Sequence, residues 1–386
     1  MKKLFTLLFA IVASVATMFA DIINYVQIDD FFYNLDTSAK TAEVNTWYTT
    51  SLNIVIPSSV SYNGGTYSVI SIGEDAFRDC EMTNVTIPTS ITHIGYRAFY
   101  YCKSLTSVTV PASLTSIESW AFNGCTNLTS VVWNATNIEE APVFGGCNNL
   151  TSFIFGSGVE TIPEDICNGL TKLNTVTIPS SVKVIGSSAF ESCKGLTSIT
   201  LTDGITSIGN QAFENCTSLV SINIPSSVTY IGTYAFEGCK NLTSPIVIPE
   251  GVTKLDDGVF INCSSLTSIS LPQSLSRLEG TYFGTFAGCE GLEGIYVHRD
   301  TPANADSNTF NGVDKYSCTL YVPRNSISLY KNAPVWRDFY NVEAIEDVMA
   351  IDDIEIGGAS GHKVIRDGQV LIERNDKTYM VNGQEL

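Results

Sequence analysis

Cysteine is the residue type in this sequence that most invites a chemical interpretation, because cysteines form disulfides and bind metals. The chain holds 11 cysteines among 386 residues, and nine of them recur about every 23 residues, at Cys80, Cys102, Cys125, Cys147, Cys193, Cys216, Cys239, Cys263 and Cys289. No C-x-x-C pair is present, so the usual zinc spacing is absent. Cysteines of adjacent repeats would come near disulfide distance, but nine equivalent positions cannot all pair. We therefore predict buried free thiols that pack as small hydrophobic groups.

The other titratable residues form no recognisable catalytic or metal-binding pattern. The three histidines, His93, His298 and His362, fall at different positions of the repeat described below. Acid pairs such as Asp256-Asp257 lack the D-x-D-x-D-G spacing of calcium loops. We therefore predict no catalytic residue, no metal ligand and no cofactor, and we expect a protein that is not an enzyme.

The elements that position these residues come from one repeated unit. Its consensus contains an A-F dipeptide. The phenylalanine position of that dipeptide is occupied in the eleven units by Phe77, Phe99, Phe122, Phe144, Cys167, Phe190, Phe213, Phe236, Phe260, Phe286 and Phe310. A strand pattern such as L-T-S-V-T-V-P, at Leu105 to Pro111, follows in each unit. The alternation of valine with Ser or Thr predicts a strand that is buried on one face, and the proline ends it.

The A-F-x-x-C segment is interpreted as a short helix. The position four residues before the phenylalanine holds Gly, Pro, Asp or Glu, as in Gly73, Pro163 and Asp256, and these residues favour a helix N-terminus. A single turn cannot bury its own apolar face, whereas stacked turns bury a continuous core. The predicted fold is therefore an α/β solenoid of about 11 turns, with a parallel sheet on its concave side.

The consensus I-G-x-x-A-F-x-x-C-x-x-L-x-S-V-x-I-P resembles the BspA-like leucine-rich repeats of bacterial surface proteins. The match covers about two-thirds of the chain. The resemblance implies a right-handed leucine-rich-repeat superhelix in a secreted or surface-attached protein. It also implies adhesin-like roles toward host matrix proteins or other bacteria, and it brings no shared catalytic residues.

The N-terminus reads as a secretory signal peptide, residues 1–20. Two lysines precede an apolar run from Leu4 to Val15, which is too short to favour a retained membrane span. Cleavage after Ala16 and cleavage after Ala20 both fit this pattern. We therefore expect an exported protein that is secreted or held at the cell surface, without membrane insertion.

The remaining chain divides into four predicted segments. Residues 21–66 are an N-terminal β cap with a hairpin around D-T-S-A-K, and residues 67–342 are the solenoid with its C-terminal cap. The last predicted strand runs from Thr319 to Pro323, and the residues available to close the core behind it are Tyr330, Trp336, Phe339 and Tyr340. Residues 343–362, acidic and then Gly-rich, form a linker. Residues 363–386 carry D-G and N-G turns between apolar runs, which predicts a short β-hairpin tail. This tail resembles the C-terminal β tails of secreted Bacteroidetes proteins, including type IX sorting signals.

The predicted contact site lies on the outward rows of the strands. These rows consist mostly of Ser and Thr and hold no acid, base or histidine, which argues against catalysis there. Departures from the pattern in and beside these rows are the candidate partner-binding residues: Tyr296, His298, Tyr321, Val132, Phe153 and Ile154. Tyr296 and Tyr321 occupy the same row in neighbouring turns, so we expect them to lie side by side, about 5 Å apart.

The most consistent function is binding of a macromolecule through the concave sheet. A protein, from the host matrix or a bacterial surface, is the expected partner, and a glycan is the alternative. A net charge of −18 argues against nucleic acid and anionic membrane surfaces. The competing hypotheses are a surface spacer without a specific ligand, a glycan-binding accessory, and an enzyme or glycan-processing accessory.

Overall fold

The chain divides into two compact units, residues 1–195 and residues 196–386. The computed structural model describes residues 22–47, 51–136 and 138–345, together with the backbone of four strands between residues 349 and 380. The predicted signal peptide lies outside the described residues. The segment boundaries predicted from the sequence remain predictions.

In unit 1 the strands are β1 (Ile22–Ile28), β2 (Phe31–Asp36), β3 (Thr41–Trp47), β4 (Asn53–Val55), β5 (Ser59–Tyr62), β6 (Gly65–Ile72), β7 (Asn84–Thr86), β8 (His93–Ile94), β9 (Ser107–Val110), β10 (Ser116–Ile117), β11 (Ser130–Trp133), β12 (Ser152–Phe155), β13 (Thr161–Ile162), β14 (Thr175–Thr177) and β15 (Val184–Ile185). The first three are antiparallel neighbours, and β3 then pairs in parallel with β6. The predicted hairpin around D-T-S-A-K is present, since Asp36 pairs with Thr41. These strands cover the end of the unit 1 core, where Phe31 lies edge-on to Phe77 with ring centroids 6.2 Å apart.

A parallel sheet forms the strand face of unit 1, in the order β14, β12, β11, β9, β7, β4. Its pairing is in register from turn to turn, and Ser130 faces Ser107 on one side and Ser152 on the other. The predicted parallel sheet is therefore confirmed. The inward positions are apolar and the outward positions mostly Ser or Thr, so the pleat separates core from surface.

In unit 2 the strands are β16 (Ser198–Ile199), β17 (Ser207–Ile208), β18 (Ser221–Ile222), β19 (Tyr230–Ile231), β20 (Ile246–Val247), β21 (Lys254–Leu255), β22 (Ser268–Leu271), β23 (Arg277–Leu278), β24 (Gly294–Val297), β25 (Asn304–Ala305), β26 (Thr319–Val322), β27 (Asn341–Ala344), β28 (Met349–Ile356), β29 (Ala359–Arg366), β30 (Gln369–Arg374) and β31 (Lys377–Met380). One short α-helix, α1 (Ile327–Asn332), lies between the 3-10 turns Arg324–Ser326 and Trp336–Asp338. The strand face of unit 2 includes the pair β16–β18 and the parallel sheet β20, β22, β24, β26, β27.

The solenoid has about 13 turns rather than the predicted 11. The two extra strands of the strand faces are β4 and β27, which lack the A-F-x-x-C segment from which the turns were counted. Strand β27 pairs in parallel with β26, which corresponds to the last strand predicted from the sequence, so the sheet has one strand more than predicted at this end. The last two residues of β27, Glu343 and Ala344, lie in the segment predicted to be a linker.

The A-F-x-x-C segments are tight turns, so the prediction of a short helix is wrong. In most turns the residues two before and two after the phenylalanine have left-handed backbone angles, for example Asp75 (φ 53°) and Asp79 (φ 56°) around Phe77. Such residues interrupt a right-handed helix. The N–H groups instead alternate: Cys80 donates to Phe77 of its own turn, whereas Phe77 donates to Ala98 of the next turn.

A second ladder of short parallel strands accompanies each strand face, and the sequence pattern did not predict it. It is formed by the two residues just before the position that holds glycine in the I-G consensus, as in β8 and β10 of unit 1 and in β21, β23 and β25 of unit 2. Each turn thus contributes a strand face, a short ladder and a tight turn. Apart from α1 and the two 3-10 turns, no helix occurs among the described residues.

Columns of stacked side chains fill both cores. In unit 1 the rings of Phe77, Phe99, Phe122 and Phe144 stack with centroids 4.8 to 5.4 Å apart. In unit 2 the rings of Phe213, Phe236, Phe260, Phe286 and Phe310 stack with centroids 5.2 to 5.7 Å apart. All eleven cysteines are free and buried, which confirms the prediction of buried thiols.

Aromatic residues close the C-terminal end of the unit 2 core. Trp336 and Phe339 pack edge-on against Phe310, and the Trp336 ring nitrogen donates to the carbonyl of Ala303. Buried Tyr330 donates its hydroxyl to the carbonyl of Arg299. Tyr340, which the sequence offered for the same task, is exposed.

The C-terminal tail is an antiparallel four-stranded sheet, β28 to β31. It begins at Met349, inside the predicted linker, and Arg366 at the end of β29 pairs with Gln369 at the start of β30. The predicted D-G turn, residues 367–368, lies outside the described residues. The predicted N-G turn lies outside the described residues.

Candidate partner-binding face

Two tyrosines form an aromatic platform on the strand face of unit 2. Tyr296 on β24 and Tyr321 on β26 are register partners, and alternation turns both side chains away from the core. Their rings stack with centroids 4.6 Å apart and planes 8° from parallel. Both rings are half-buried, and burial raises the pKa of Tyr296, so the Tyr296 hydroxyl remains a protonated donor at neutral pH. The sequence-based prediction that these residues lie side by side is confirmed.

Gly294 makes room for this platform. A Cβ atom at this position would lie 3.2 Å from Cε2 of Tyr296 and 3.5 Å from Cε2 of Tyr321. The rings therefore lean over the bare backbone of Gly294, which fills the position that Ser or Thr holds in most other turns. Glycine is rare in this row, so Gly294 is conspicuous in the sequence. Its role could not be predicted, however, because the positions of the two rings are not known from the sequence.

His298 lies on the same face as Tyr296 and is anchored to the sheet. Its Nε2 atom and the Ser270 hydroxyl are 3.0 Å apart, and one of them donates to the other. A Ser–His hydrogen bond is one component of a nucleophilic site. Ser270, however, is only 7% exposed, so its hydroxyl is not presented to a substrate. The arrangement fixes the imidazole beside the platform.

The candidates in unit 1 divide between surface and core. Val132 and Ile154 are register partners on β11 and β12, and Ile154 is exposed. Phe153 is fully buried and packs against Phe144 and Phe155, so its inclusion among the surface candidates is wrong. The reason is parity: Phe153 lies between the outward residues Ser152 and Ile154, and its side chain must point into the core.

Two further surface features were missed from the sequence. Glu343 on β27 is exposed and is the register partner of Tyr321, so the aromatic row ends in a carboxylate. On the tight turns of unit 1, the guanidinium carbon of Arg97 lies 4.6 to 5.1 Å from the ring centroids of Tyr96, Tyr100 and Trp120. These rings lie on the tight turns, whereas the candidate residues predicted from the sequence all lie on or directly beside the strands of the strand faces.

The described residues contain no group of three or more His, Cys, Asp or Glu side chains that would hold a metal ion. The candidate partner-binding face of unit 2 consists of aromatic rings and hydroxyl groups, with the carboxylate of Glu343 at one edge. Such a surface suits non-covalent recognition, in which tyrosine is enriched at contact centres.

The repeat geometry agrees with a comparison to known families. The model of the BspA type leucine rich repeat region matches residues 70–197 and 184–317, with six copies. These matches span well over half of the 386 residues.

The chain belongs to the BspA-type leucine-rich-repeat family.

Solved structures of other leucine-rich-repeat proteins are similar to this chain. A leucine rich cell surface protein from Faecalibacterium prausnitzii A2-165 is 24% identical, with 71% of this chain and 94% of that chain covered and a TM-score of 0.37. A leucine-rich repeat protein from Bacteroides ovatus is 21% identical, with coverage of 83% and 100% and a TM-score of 0.35. A leucine rich repeat protein from T. pallidum is 27% identical, with coverage of 56% and 90% and a TM-score of 0.37.

These superpositions are partial, so membership of the BspA-type family rests on the repeat sequence and its matching family model. No curated protein matches the chain. Within the described part of the chain, no helix has the length and apolar character needed to cross a membrane.

Proposed function

We propose that this BspA-type protein is an adhesin-like protein of the cell surface or the secreted fraction. Its partner is a protein, bound on the strand face of unit 2 around Tyr296 and Tyr321. Members of the leucine-rich-repeat class generally mediate protein interactions. The predicted signal peptide and the family resemblance support an exported location.

The observation that carries the proposal is the stacked tyrosine pair. In a row dominated by small hydroxyl residues, two parallel rings 4.6 Å apart provide a rigid apolar surface with polar ends. Fixed rings lose little freedom when a partner binds, which lowers the entropic cost of association. His298 on one side and Glu343 on the next strand supply the polar rim that protein interfaces usually have.

Replacing both tyrosines tests this proposal. The variant Tyr296→Ser/Tyr321→Ser restores the side chains typical of the other turns, so the fold should persist. Binding to a panel of immobilised matrix proteins and intact bacterial cells is measured by biolayer interferometry, with circular dichroism as the folding check. We expect saturable binding by the unmodified protein and a loss of at least about tenfold in affinity for the variant, typical of removing a central aromatic contact.

The matched control is Tyr316→Ser/Tyr340→Ser. These tyrosines are also neighbours in unit 2, with ring centroids 6.2 Å apart, but they are 78% and 75% exposed and lie outside the platform. The control should bind normally. Unchanged affinity of a folded Tyr296/Tyr321 variant would move the site elsewhere. An absence of saturable binding to any member of the panel would favour the spacer hypothesis.

A further inference from the structure

The repeat of unit 2 is interrupted by an insertion on its tight-turn side. Phe260 and Phe286 are 26 residues apart instead of about 23, and the additional residues fall in the segment Gly280–Gly284. This segment exposes two aromatic side chains, Tyr282 at 79% and Phe283 at 53%. Insertions in repeat proteins tend to mark the loops that bind ligands.

Carboxylates from the turns on both sides hold the insertion in place. The side chain of Asp257 accepts the backbone N–H groups of Tyr282 at 3.1 Å, Phe283 at 3.3 Å and Gly284 at 2.8 Å. Asp306, on the other side, accepts the N–H of Gly280 at 3.0 Å. The backbone carrying the exposed rings is thus fixed before any ligand arrives.

Gly284 locks the same segment against the following turn. Its φ is +89°, and a Cβ atom there would lie 1.9 Å from the carbonyl oxygen of Asn308. No other residue fits this position without moving the backbone. The Phe283 ring also contacts Tyr234, with centroids 5.9 Å apart at 68°.

An open pocket of about 430 Å³ lies beside the insertion. Its lining residues include the aromatic residues Tyr282 and Phe283 and the asparagines Asn262, Asn308 and Asn311. This volume falls in the range of small-ligand sites. No residue of the lining is charged, although the chain as a whole carries a net charge of −18.

Three asparagines contribute side-chain amides to the lining residues of this pocket. Among the described residues, no hydrogen bond to another protein group is found for the side chains of Asn262, Asn308 and Asn311. Each amide offers two donors and an acceptor. Hydroxyl groups of a sugar both donate and accept, and the C–H face of a sugar ring packs against an aromatic ring.

We propose that this pocket is a binding site for a neutral saccharide, separate from the protein-binding face. The rings of Tyr282 and Phe283 pack against the sugar, and the three asparagine amides bind its hydroxyl groups. The oxygens of Asp257 are already occupied by backbone N–H groups, so they position the loop rather than bind a cation. Anionic sugars are disfavoured because Asp257 and Asp306 flank the pocket.

An array of neutral, sialylated and sulfated oligosaccharides tests the proposal with the full chain. We expect binding to neutral members only, followed by measurement of the affinity of the best neutral member by calorimetry. The variant Tyr282→Ala/Phe283→Ala should weaken that affinity about tenfold or more, because it removes both packing surfaces. The variant Asn308→Ala/Asn311→Ala, which leaves the loop backbone intact, should weaken it as well.

The control Tyr316→Ala/Tyr340→Ala removes equally exposed rings away from the pocket and should leave the affinity unchanged. Tyr296→Ser/Tyr321→Ser should leave it unchanged too, so failure of this proposal is distinguishable from failure of the protein-binding proposal. Binding of no neutral member, or binding that survives both pocket variants, would overturn the saccharide assignment. The assignment would also be overturned if the Tyr282→Ala/Phe283→Ala variant lost its binding to a protein partner but kept its binding to the sugar.

Discussion

The recurring cysteine does more than fill a small apolar position. Its thiol donates to the carbonyl of the phenylalanine one turn earlier, at 3.0 Å from Cys102 to Phe77 and at 3.2 Å from Cys239 to Phe213. An alanine at this position would fill part of the space but could not donate this hydrogen bond. The sequence predicted burial of the thiols from their spacing, but it did not show the hydrogen bond, because the acceptor belongs to another turn.

Burial of these thiols makes stability depend on alkaline pH. Burial raises the pKa of Cys80 from 9.0 to about 11 and that of Cys289 to about 12. A raised folded pKa gives stability that is complete below the unfolded pKa and is lost as pH rises through the folded one. The free energy of unfolding should therefore fall from about pH 9 upward, by up to roughly 1.4 kcal/mol per pH unit for each such thiol.

Urea unfolding at pH 7.5, 9 and 10 with a reductant measures this effect. The variant Cys80→Ala/Cys289→Ala will start less stable, and its stability should decline less steeply with pH. Identical slopes for the variant and the unmodified protein would show that other groups, such as the tyrosines, dominate the alkaline transition.

At the scale of the element, the tight turn replaces the helix that its sequence suggested. Ala, Phe and Cys at helical spacing, preceded by glycine, proline or an acid, favoured a short helix. The left-handed residue two positions after the phenylalanine decides otherwise, and its identity gives little warning: Asp79, Tyr101 and Ser192 adopt this conformation as well as glycine does. Hydrogen bonds to the next turn select the conformation, and such contacts are invisible in a single repeat.

Gly169 isolates the contribution of this conformation to stability. Its φ is +75°, and a Cβ atom there would meet no atom within 4 Å, so Gly169→Ala adds backbone strain without a clash. We expect a loss of about 1 kcal/mol in the free energy of unfolding, measured by urea denaturation. Gly158→Ala, whose φ is not left-handed and whose added Cβ makes only an ordinary 3.4 Å contact, should be neutral or slightly stabilising. Equal effects of the two substitutions would contradict this interpretation.

The strand faces were more predictable than the turns, because a two-residue period needs no knowledge of neighbouring elements. It placed Tyr296 and Tyr321 side by side correctly. It failed for Phe153, where an unusual residue was selected without regard to its inward parity. The strand pattern that is recognisable in the sequence also ends at Pro323, so β27 and its exposed Glu343 were missed. The aromatic C-terminal cap separates them from the last full repeat.

At the scale of the whole molecule, charge limits the class of partner. The net charge of −18 comes from 39 acidic and 21 basic residues. Such an excess repels polyanions at moderate ionic strength. Sequence composition alone establishes this property, because it does not depend on the fold.

Vesicle and nucleic-acid assays check this expectation. The full chain should not co-sediment with vesicles containing anionic lipid, nor shift the mobility of double-stranded DNA, at about 0.15 M salt. It should bind an anion-exchange resin under the same conditions. Co-sedimentation with anionic but not with zwitterionic vesicles would reveal a local basic surface that outweighs the total charge, and the Arg97 cluster would then be the first region to test.

The hydrogen bond from each thiol to the preceding turn also affects the order in which the cysteines become buried during folding. Cys102 finds its acceptor only 25 residues earlier in the chain, and Cys147 finds its acceptor at the same separation. Contacts this local form rapidly, and a stack of repeats grows by adding neighbours. A thiol can therefore be sequestered soon after the turn around it is complete, without waiting for the distant end of the chain. In an oxidising compartment, only the cysteines at the growing edge of the stack would be open to an oxidant at any moment.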